Sequence, residues 1–134
     1  MFTDGEKRFL KANELCRMAT VSEDGSPHLV PVCYIFKDDA FYIVSDPETM
    51  KVKNLRRDGR VALLVDHYKP NRAVLVFGMA ELINRGEVFR EVSQDFFKRY
   101  SWARRDKWDE GEVALIKVLP SRKISWGFRK VQRS

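Results

Sequence analysis

Residues 19–66 constrain the fold most, because three extended apolar runs joined by turn residues lead into a short basic helix and a fourth apolar run. A cluster of turn-forming residues at 22–27 separates runs 17–21 and 28–36, so the sequence predicts a hairpin. Residues 37–39, Lys-Asp-Asp, predict a second turn before the next run. Extended runs with tight connections are typical of antiparallel sheets, and we expect this segment to form the wall of a β-barrel.

Run 28–36 is apolar on both of its alternating faces, as expected of a strand that is covered on each side. Pro31 has no N–H to donate, so it marks an edge strand or an interruption in pairing. The free backbone groups of residues 31–33 would then be available to hydrogen-bond a flat heterocycle. An edge strand that faces solvent explains the same pattern, and the sequence leaves both interpretations open.

A short basic helix is predicted after the third run. Asp46 is a favourable N-cap, Pro47 fits the first helical position, and Gly59 fits the end of the helix. Unpaired N–H groups and the positive end of the helix dipole gather at such a start, which therefore favours anions.

Three side chains near this helix start favour a phosphate in particular. Thr49 adds a hydroxyl group, while Lys51 and Lys53 add two positive charges. A solvated basic face on a short surface helix is the alternative interpretation of the same residues. The sequence therefore predicts an anion site here without excluding an ordinary surface helix.

Capping, periodicity and turn signals predict the other elements. These are a helix at 4–13 behind a Thr3–Glu6 capping box, a hairpin of 60–66 and 72–83, an amphipathic helix after Gly86, and a strand at 112–119 that turns at 120–122 into 123–128. Gly78 marks a bend, a bulge or the close approach of another backbone. The stripe predicted to pack on the barrel is Val88, Phe89, Val92, Phe96, Phe97 and Tyr100.

Several residues of types that often act in catalysis or binding could instead have purely structural roles in this chain. His67 could act as an acid or as a donor to a substrate, or it could form a surface hydrogen bond. Residues 101–108, with two tryptophans and three basic residues, could cover an anionic substrate or pack on the preceding helix. Cys16 and Cys33 are predicted to be small buried hydrophobic residues. We expect no metal site, because the histidines lack metal-ligand spacing.

Length and charge limit the classes of function. The 134 residues, 44% of them hydrophobic, predict one globular domain. The net charge of +6 and the pI near 9.5 raise the possibility of nucleic-acid binding. The charge is spread over helices and tail without a recognition motif, so we expect a small anionic partner rather than nucleic acid. The absence of a bilayer-spanning run and of a signal-peptide pattern predicts a cytoplasmic protein without membrane attachment.

An ordered set of short motifs along the chain resembles the motif pattern of a known protein family. The motifs are Ala19-Thr20-Val21, Gly25-Ser26-Pro27, Val30-Pro31-Val32, Ser45-Asp46, Thr49-Met50-Lys51, Asn54-Leu55 and Gly59-Arg60-Val61-Ala62-Leu63. In this order and spacing they resemble the pyridoxamine-phosphate-oxidase-like split-barrel family, which binds FMN and, in many members, the deazaflavin F420. The resemblance continues more weakly to Trp126 and covers nearly the whole chain.

This resemblance implies a mainly β protein, a six-stranded antiparallel split barrel with three helices, that forms a homodimer and acts as an oxidoreductase. FMN, or alternatively F420, would lie between the subunits and transfer a hydride to an unidentified small molecule. The candidate cofactor-binding residues are Val30, Pro31, Val32, Cys33, Val44, Ser45, Thr49, Met50, Lys51, Lys53, Asn54, Asp66 and Trp126. Residues 30–33 would contact the ring and residues 49–54 the phosphate, while Trp126 would come from the partner subunit. No residue demands a catalytic role.

The chain departs from the family pattern at two cationic positions. Val30 and Met50 stand where the oxidase has arginines, so Lys51, Lys53, Thr49 and the helix start must bind the charged phosphate. Weaker phosphate binding or a preference for F420 would follow. Two further functions stay open from the sequence, a non-catalytic flavin- or haem-binding protein and a basic nucleic-acid-binding domain.

Overall fold

The computed structural model describes residues 1–128, which form one curled antiparallel sheet and four helices. The elements are α1 (Asp4–Ala12), β1 (Leu15–Val21), β2 (Pro27–Cys33), β3 (Ile35–Lys37), β4 (Ala40–Ser45), α2 (Met50–Arg57), β5 (Arg60–His67), β6 (Arg72–Ile83), α3 (Glu87–Arg99), α4 (Ser101–Arg105) and β7 (Ala114–Trp126). The strand order is β2-β1-β5-β6-β7-β4-β3. The predicted mainly β split barrel is confirmed, with seven strands rather than six and four helices rather than three.

Both predicted turns in the first half of the chain are present. β1 and β2 pair from Leu15–Cys33 to Val21–Pro27, and the loop between them closes through Ser22 N–H to Ser26 O at 2.9 Å. Asp38 and Asp39 have φ of 52° and 59°, the conformation that two-residue hairpin loops require. β2 pairs only with β1, so the expectation that Pro31 marks an edge strand is confirmed.

The prediction of one strand over 28–36 is wrong, because Tyr34 separates β2 from β3. Tyr34 is buried, its N–H donates to Glu14 O at 3.0 Å and its hydroxyl donates to Leu10 O at 2.6 Å. Tyr100 in turn donates its hydroxyl to Tyr34 O. Because these hydrogen bonds lie outside the pairing of β1 with β2, the strand is interrupted at Tyr34 although the apolar sequence pattern continues to residue 36. Within one chain β2 also exposes Leu29 and Pro31, so it is not covered on both faces.

The strand predicted to end before a turn at 120–122 instead runs through it. β7 continues from Ala114 to Trp126 along β6, with a change of register beside Gly78, which pairs with Pro120. A Cβ at Gly78 would collide with Leu119 O. The predicted bulge and close backbone approach are therefore both present. The bulge allows residues 120–122, which the sequence pattern predicted to form a turn, to remain within the strand.

Two apolar clusters lie on the two sides of the sheet. The barrel interior contains Phe41, Met18 and Leu63, and α2 closes it with Val52 and Leu55. The second cluster joins α3 and α4 to β3, β4 and β7, as the helical stripe predicts. The predicted Val88 is the exception in that stripe because it lies exposed. The Thr3–Glu6 capping box is present, and Phe9 and Leu10 bury α1 against the barrel.

The face of the sheet that lies outside the barrel interior is apolar and partly exposed. Residues paired across the strands share a face, and one row runs from Pro31 through Arg17, Leu64 and Leu75 to Ile124. Leu29, in the neighbouring row, is 64% exposed, and Ile124 is 49% exposed. No helix in residues 1–128 is long and apolar enough to cross a membrane.

Candidate functional site

The predicted helix start lies at the end of β4, but it begins later than the sequence indicates. β4 ends at Ser45, residues 46–49 turn, and α2 begins at Met50 with Thr49 as the N-cap. The prediction of Asp46 as N-cap and Pro47 as the first helical residue is wrong, because Asp46 O accepts a turn hydrogen bond from Thr49 N–H at 3.3 Å. We call the segment Ser45–Asn54 the β4–α2 junction.

Two hydroxyl groups meet at this junction. Ser45 Oγ lies 2.8 Å from Thr49 Oγ1, and each of these oxygens lies 3.1 Å from Asp46 O, so the two hydroxyl hydrogens are shared among the three oxygens. Thr49 therefore makes no side-chain hydrogen bond to the first turn of α2. The N–H groups of that turn, which have no partner within the helix, remain directed towards the end where the hydroxyls lie. The junction thus places two hydroxyl groups, engaged with each other and with Asp46 O, beside an uncapped helix start.

The lysines at the junction differ in their surroundings. Lys51 is half-buried, and burial lowers its pKa while the nearby Asp46 carboxylate opposes that effect. Lys53 is exposed. Neither lysine forms an ion pair with a carboxylate among residues 1–128. Met50 is exposed and contributes no charge, so the positive charge here comes from the two lysines and the helix dipole.

The Asn54 side chain is buried and forms hydrogen bonds within the protein. It is 1% exposed, and its Nδ2 donates to Thr20 Oγ1 on β1 at 3.0 Å. Arg57 donates to Asn54 Oδ1 at 3.4 Å and also to Val21 O. Of the candidate phosphate residues, Asn54 is therefore the one whose polar atoms hold α2 against the sheet.

The ring-side candidates lie on the edge strand. Val30, Val32 and Cys33 are half-buried and Pro31 is exposed on β2, while Val44 is half-buried on β4. β2 and β4 are distant in the strand order, but the curl of the sheet brings them into contact. β2, which carries residues 30–33, and β4 therefore border the same region of the protein.

The last two candidates lie on β5 and β7, two and four strands from β2 in the sheet order. Asp66 is exposed and forms an ion pair with Arg17 at 3.2 Å. Trp126 is 43% exposed, and its Nε1 donates to Asn71 Oδ1 at 3.3 Å. β4 pairs with β7 only at residues 114–118, and Trp126 at the far end of β7 pairs with Ala73 of β6, so one chain does not bring Trp126 to the candidates on β2 and β4.

Most of the residues for which the sequence left a structural alternative to a chemical role have the contacts of that structural alternative. His67 is exposed, and its Nδ1 lies 3.1 Å from Pro70 O. Trp108 donates its Nε1 to Ser93 Oγ at 2.9 Å, so the segment 101–108 packs on α3 and includes α4. Burial raises the pKa of Cys16 to about 12, as expected of a buried thiol, whereas Cys33 is only half-buried. Within the described part of the chain no cluster of residues could hold a metal.

The sequence reasoning missed one polar cluster. Glu6 is 2% exposed, accepts from Thr3 N–H at 2.8 Å, and is also bonded to Lys123 Nζ and Ser125 Oγ on β7. Burial alone raises the pKa of Glu6, but these hydrogen bonds outweigh it and hold the pKa below its usual value. The capping box assigned Glu6 only a local role, and no signal in the sequence joined it to β7.

Comparison with known families decides the classification. The model of the family described as "Pyridoxamine 5'-phosphate oxidase" matches residues 2–126 of this chain. The chain belongs to this family. The resemblance drawn from the ordered motifs is thereby confirmed for nearly the full length of the chain.

Individual relatives differ in what their names describe. A 5a,11a-dehydrotetracycline/5a,11a-dehydrooxytetracycline reductase of Streptomyces rimosus is 27% identical over 135 residues, covering 94% of this chain and 83% of the relative. A conserved hypothetical protein of Mycobacterium tuberculosis has a TM-score of 0.80 at 24% identity, covering 100% and 93% of the two chains. An F420 reductase has a TM-score of 0.73 at 17% identity, covering 92% and 98% of the two chains. The haem storage protein HutZ of Vibrio cholerae has a TM-score of 0.79 at 14% identity, covering 91% and 92%.

Proposed function

We propose that the protein is an oxidoreductase that binds FMN, or alternatively F420, and transfers a hydride to a small molecule. Membership of the oxidase family and the reductase activity in the name of the Streptomyces relative support this reaction class. The solved F420 reductase of the same fold supports the deazaflavin alternative. The substrate of the relative is not carried over, because the two chains share 27% identity.

The β4–α2 junction is the observation that carries the proposal. Ser45 and Thr49 present two hydroxyls, α2 starts without a side-chain cap, and Lys51 is a half-buried cation without an ion-pair partner in the described chain. An oxyanion that accepts from Lys51 and the helix start, and from the two hydroxyls once they turn away from Asp46 O, would compensate the cost of burying the Lys51 charge. Asp46 and Glu48 are exposed beside the site and reduce its net charge, so the residues fit one terminal phosphate rather than a polyphosphate.

The ring would lie against β2. Its edge position leaves the backbone around Pro31 without a second strand partner, so carbonyl and N–H groups of residues 30–33 are available to the polar edge of a flavin. Half-buried Val30 and Val32 supply an apolar surface on β2, where Val32 packs on the barrel interior, whereas half-buried Val44 packs on the α3 side of the sheet. When bound, the flavin supplies the hydride-transfer chemistry, and these residues fix its position and exclude water.

A second copy of the chain is the occupant that we propose for the outer face of the sheet. Contiguous exposed apolar surface is uncommon on monomeric proteins, and Leu29, Pro31 and Ile124 lie in two adjacent rows of this face. Trp126 and Asp66 lie on the same face or at its end. Homodimerisation would bring these two residues of one subunit towards the ring-side residues of the other, which one chain does not achieve.

A visible absorption spectrum of the purified protein, followed by titration with FMN and with F420, tests the proposal. We expect saturable binding of one of them, and reduction of bound FMN by NAD(P)H, or oxidation of bound reduced F420, with a suitable acceptor. Failure to bind either cofactor would contradict the proposal. A haem spectrum would favour the haem-binding alternative, and binding without turnover on any acceptor would favour a storage or sensing role.

A further inference from the structure

We propose that a second site, the cleft between α1 and the end of β7, binds a planar organic anion such as an aromatic carboxylate. The cleft has a volume of about 1160 Å³ and is bordered by Arg8, Phe9, Arg72, Trp126 and Phe128. We call it the α1–β7 cleft. None of the residues of the β4–α2 junction lines it, and of the candidate cofactor-binding residues only Trp126 borders it.

The basic side chains of the cleft lack acceptors in the described structure. Arg72 Nε is buried, and no atom of residues 1–128 accepts a hydrogen bond from it. Arg8 and Arg72 form no ion pair with a carboxylate in that same range. Asp4 is exposed at the rim, and Glu6 is engaged by Lys123. Because the Arg72 guanidinium borders the cleft and carries a charge without a carboxylate partner in this range, an anion that accepts from it would be stabilised.

Aromatic rings form the remaining walls. Phe9 and Phe128 pack edge to face with ring centroids 5.3 Å apart, and the Arg72 guanidinium lies 5.4 Å from the centre of the Phe128 ring. Trp126 leaves 43% of its surface exposed while Asn71 holds its Nε1. Rings and a guanidinium plane favour a flat, apolar body, and the guanidinium favours a bidentate carboxylate.

The walls are held in place before any ligand enters. Glu6 ties α1 to Lys123 and Ser125 of β7. Gly127 has φ +83°, and a Cβ there would collide with Asn71 O and lie 2.7 Å from Arg72 Cα. The chain after β7 thus packs directly on the residues that position Arg72. A preformed cleft loses little conformational freedom on binding, which favours affinity for a small ligand.

Isothermal titration calorimetry with 2-naphthoate, and with the uncharged 2-naphthamide as its matched ligand, tests the proposal on the full chain. We expect one equivalent of 2-naphthoate to bind, and binding to weaken by about tenfold or more for 2-naphthamide and for Arg72→Gln, since each loses a charge-assisted hydrogen bond. Arg105→Gln, which removes an exposed arginine of α4, is the control and should bind 2-naphthoate as the wild type does.

Two further variants keep the test decisive if Arg72→Gln folds poorly. Arg8→Gln removes the exposed cation of α1, and Ala12→Trp places a large side chain at the exposed end of α1 that borders the cleft. We expect both to weaken 2-naphthoate binding without changing FMN affinity. No binding, equal binding of the two naphthyl ligands, or binding unaffected by Arg72→Gln, Arg8→Gln and Ala12→Trp would overturn the proposal. Naphthoate binding in a protein that binds no flavin would support the cleft and contradict only the proposed oxidoreductase function.

Discussion

The β4–α2 junction and the α1–β7 cleft both lie where a helix meets a strand, yet their contacts span very different lengths of chain. Ser45 and Thr49, whose hydroxyls meet at the junction, are four residues apart. Glu6 and Lys123, which join the two walls of the cleft, are 117 residues apart. The first arrangement follows from a turn and a helix start, whereas the second depends on the register of the whole sheet.

This difference also separates the energetic roles of the two regions. The polar groups of the junction are left partly free, with an uncapped helix start and a half-buried lysine. The Glu6 carboxylate, in contrast, is fully engaged and almost completely buried. Removing Glu6 should therefore reduce stability, while removing the lysines of the junction should reduce ligand binding and leave the fold largely intact.

The largest expected effect is that of Glu6→Ala. This change leaves Lys123, whose side chain is 22% exposed, without its carboxylate, and it removes the acceptor of Ser125. We expect the free energy of unfolding to fall by about 4 kcal/mol, as for a broken buried ion pair. Urea unfolding measures it, with Glu6→Gln as the control that retains a hydrogen-bond acceptor and should lose about 2 kcal/mol. Equal stability of Glu6→Ala and wild type would show that the tie between α1 and β7 does not stabilise the fold.

The same carboxylate predicts a pH dependence. Because the pKa of Glu6 in the folded protein lies below its ordinary value of 4.5, its ionised form stabilises the fold above that pH. This contribution is lost as the pH falls through the folded pKa, below 4.5. The stability difference between wild type and Glu6→Gln should therefore shrink on acidification, and a difference that grew below this pH would contradict the assignment.

Gly127→Ala should have the next largest effect. Gly127 and Gly111 have nearly the same positive φ, +83° and +86°, but a Cβ at Gly111 would meet nothing within 4 Å, whereas one at Gly127 would collide with the backbone of residue 71. We expect Gly111→Ala to cost about 1 kcal/mol from its backbone conformation alone. Gly127→Ala should cost about 3 kcal/mol, because overpacking adds to that strain. Thermal unfolding of the pair checks this, and equal losses would mean that close packing at Gly127 contributes nothing.

At the junction, Asn54→Ala should cost less. It removes the amide that donates to Thr20 Oγ1 and leaves that buried hydroxyl without this partner. We expect a loss of about 2 kcal/mol in the free energy of unfolding. Asn84→Ala, at an exposed asparagine, is the matched control and should change stability by less than about 0.5 kcal/mol. A loss at Asn54 no greater than that of the control would show that the amide does not hold α2 on the sheet.

The sequence predicted well what depends on near neighbours. The hairpin at 22–27, the turn at Asp38–Asp39, the capping box and the amphipathic α3 all follow from residues a few positions apart. It failed where tertiary contacts override local preference. Tyr34 breaks an apolar run because its polar atoms bond to distant carbonyls, and Pro120 stays in a strand because Gly78 accommodates a bulge opposite it.

The candidate site shows the same division. The helix start after β4 was predicted from capping residues, yet the turn at Asp46–Thr49 moved its first residue to Met50. The motif pattern predicted that Asn54 binds the cofactor. Its burial and its hydrogen bond to Thr20 arise instead from the packing of α2 on β1. The arginines and rings of the cleft are scattered over the sequence from residue 8 to residue 128, and only the folded sheet assembles them.

The comparison of FMN with riboflavin, which lacks the phosphate, tests the central claim most directly. Titration of the wild type and of the Lys51→Ala/Lys53→Ala double variant with both ligands isolates the contribution of the phosphate. We expect the wild type to bind FMN at least about tenfold more tightly than riboflavin, because charge-assisted hydrogen bonds reach the phosphate. In the double variant this preference should largely disappear while riboflavin affinity stays the same. An unchanged preference for FMN in the double variant would place the phosphate elsewhere and contradict the account.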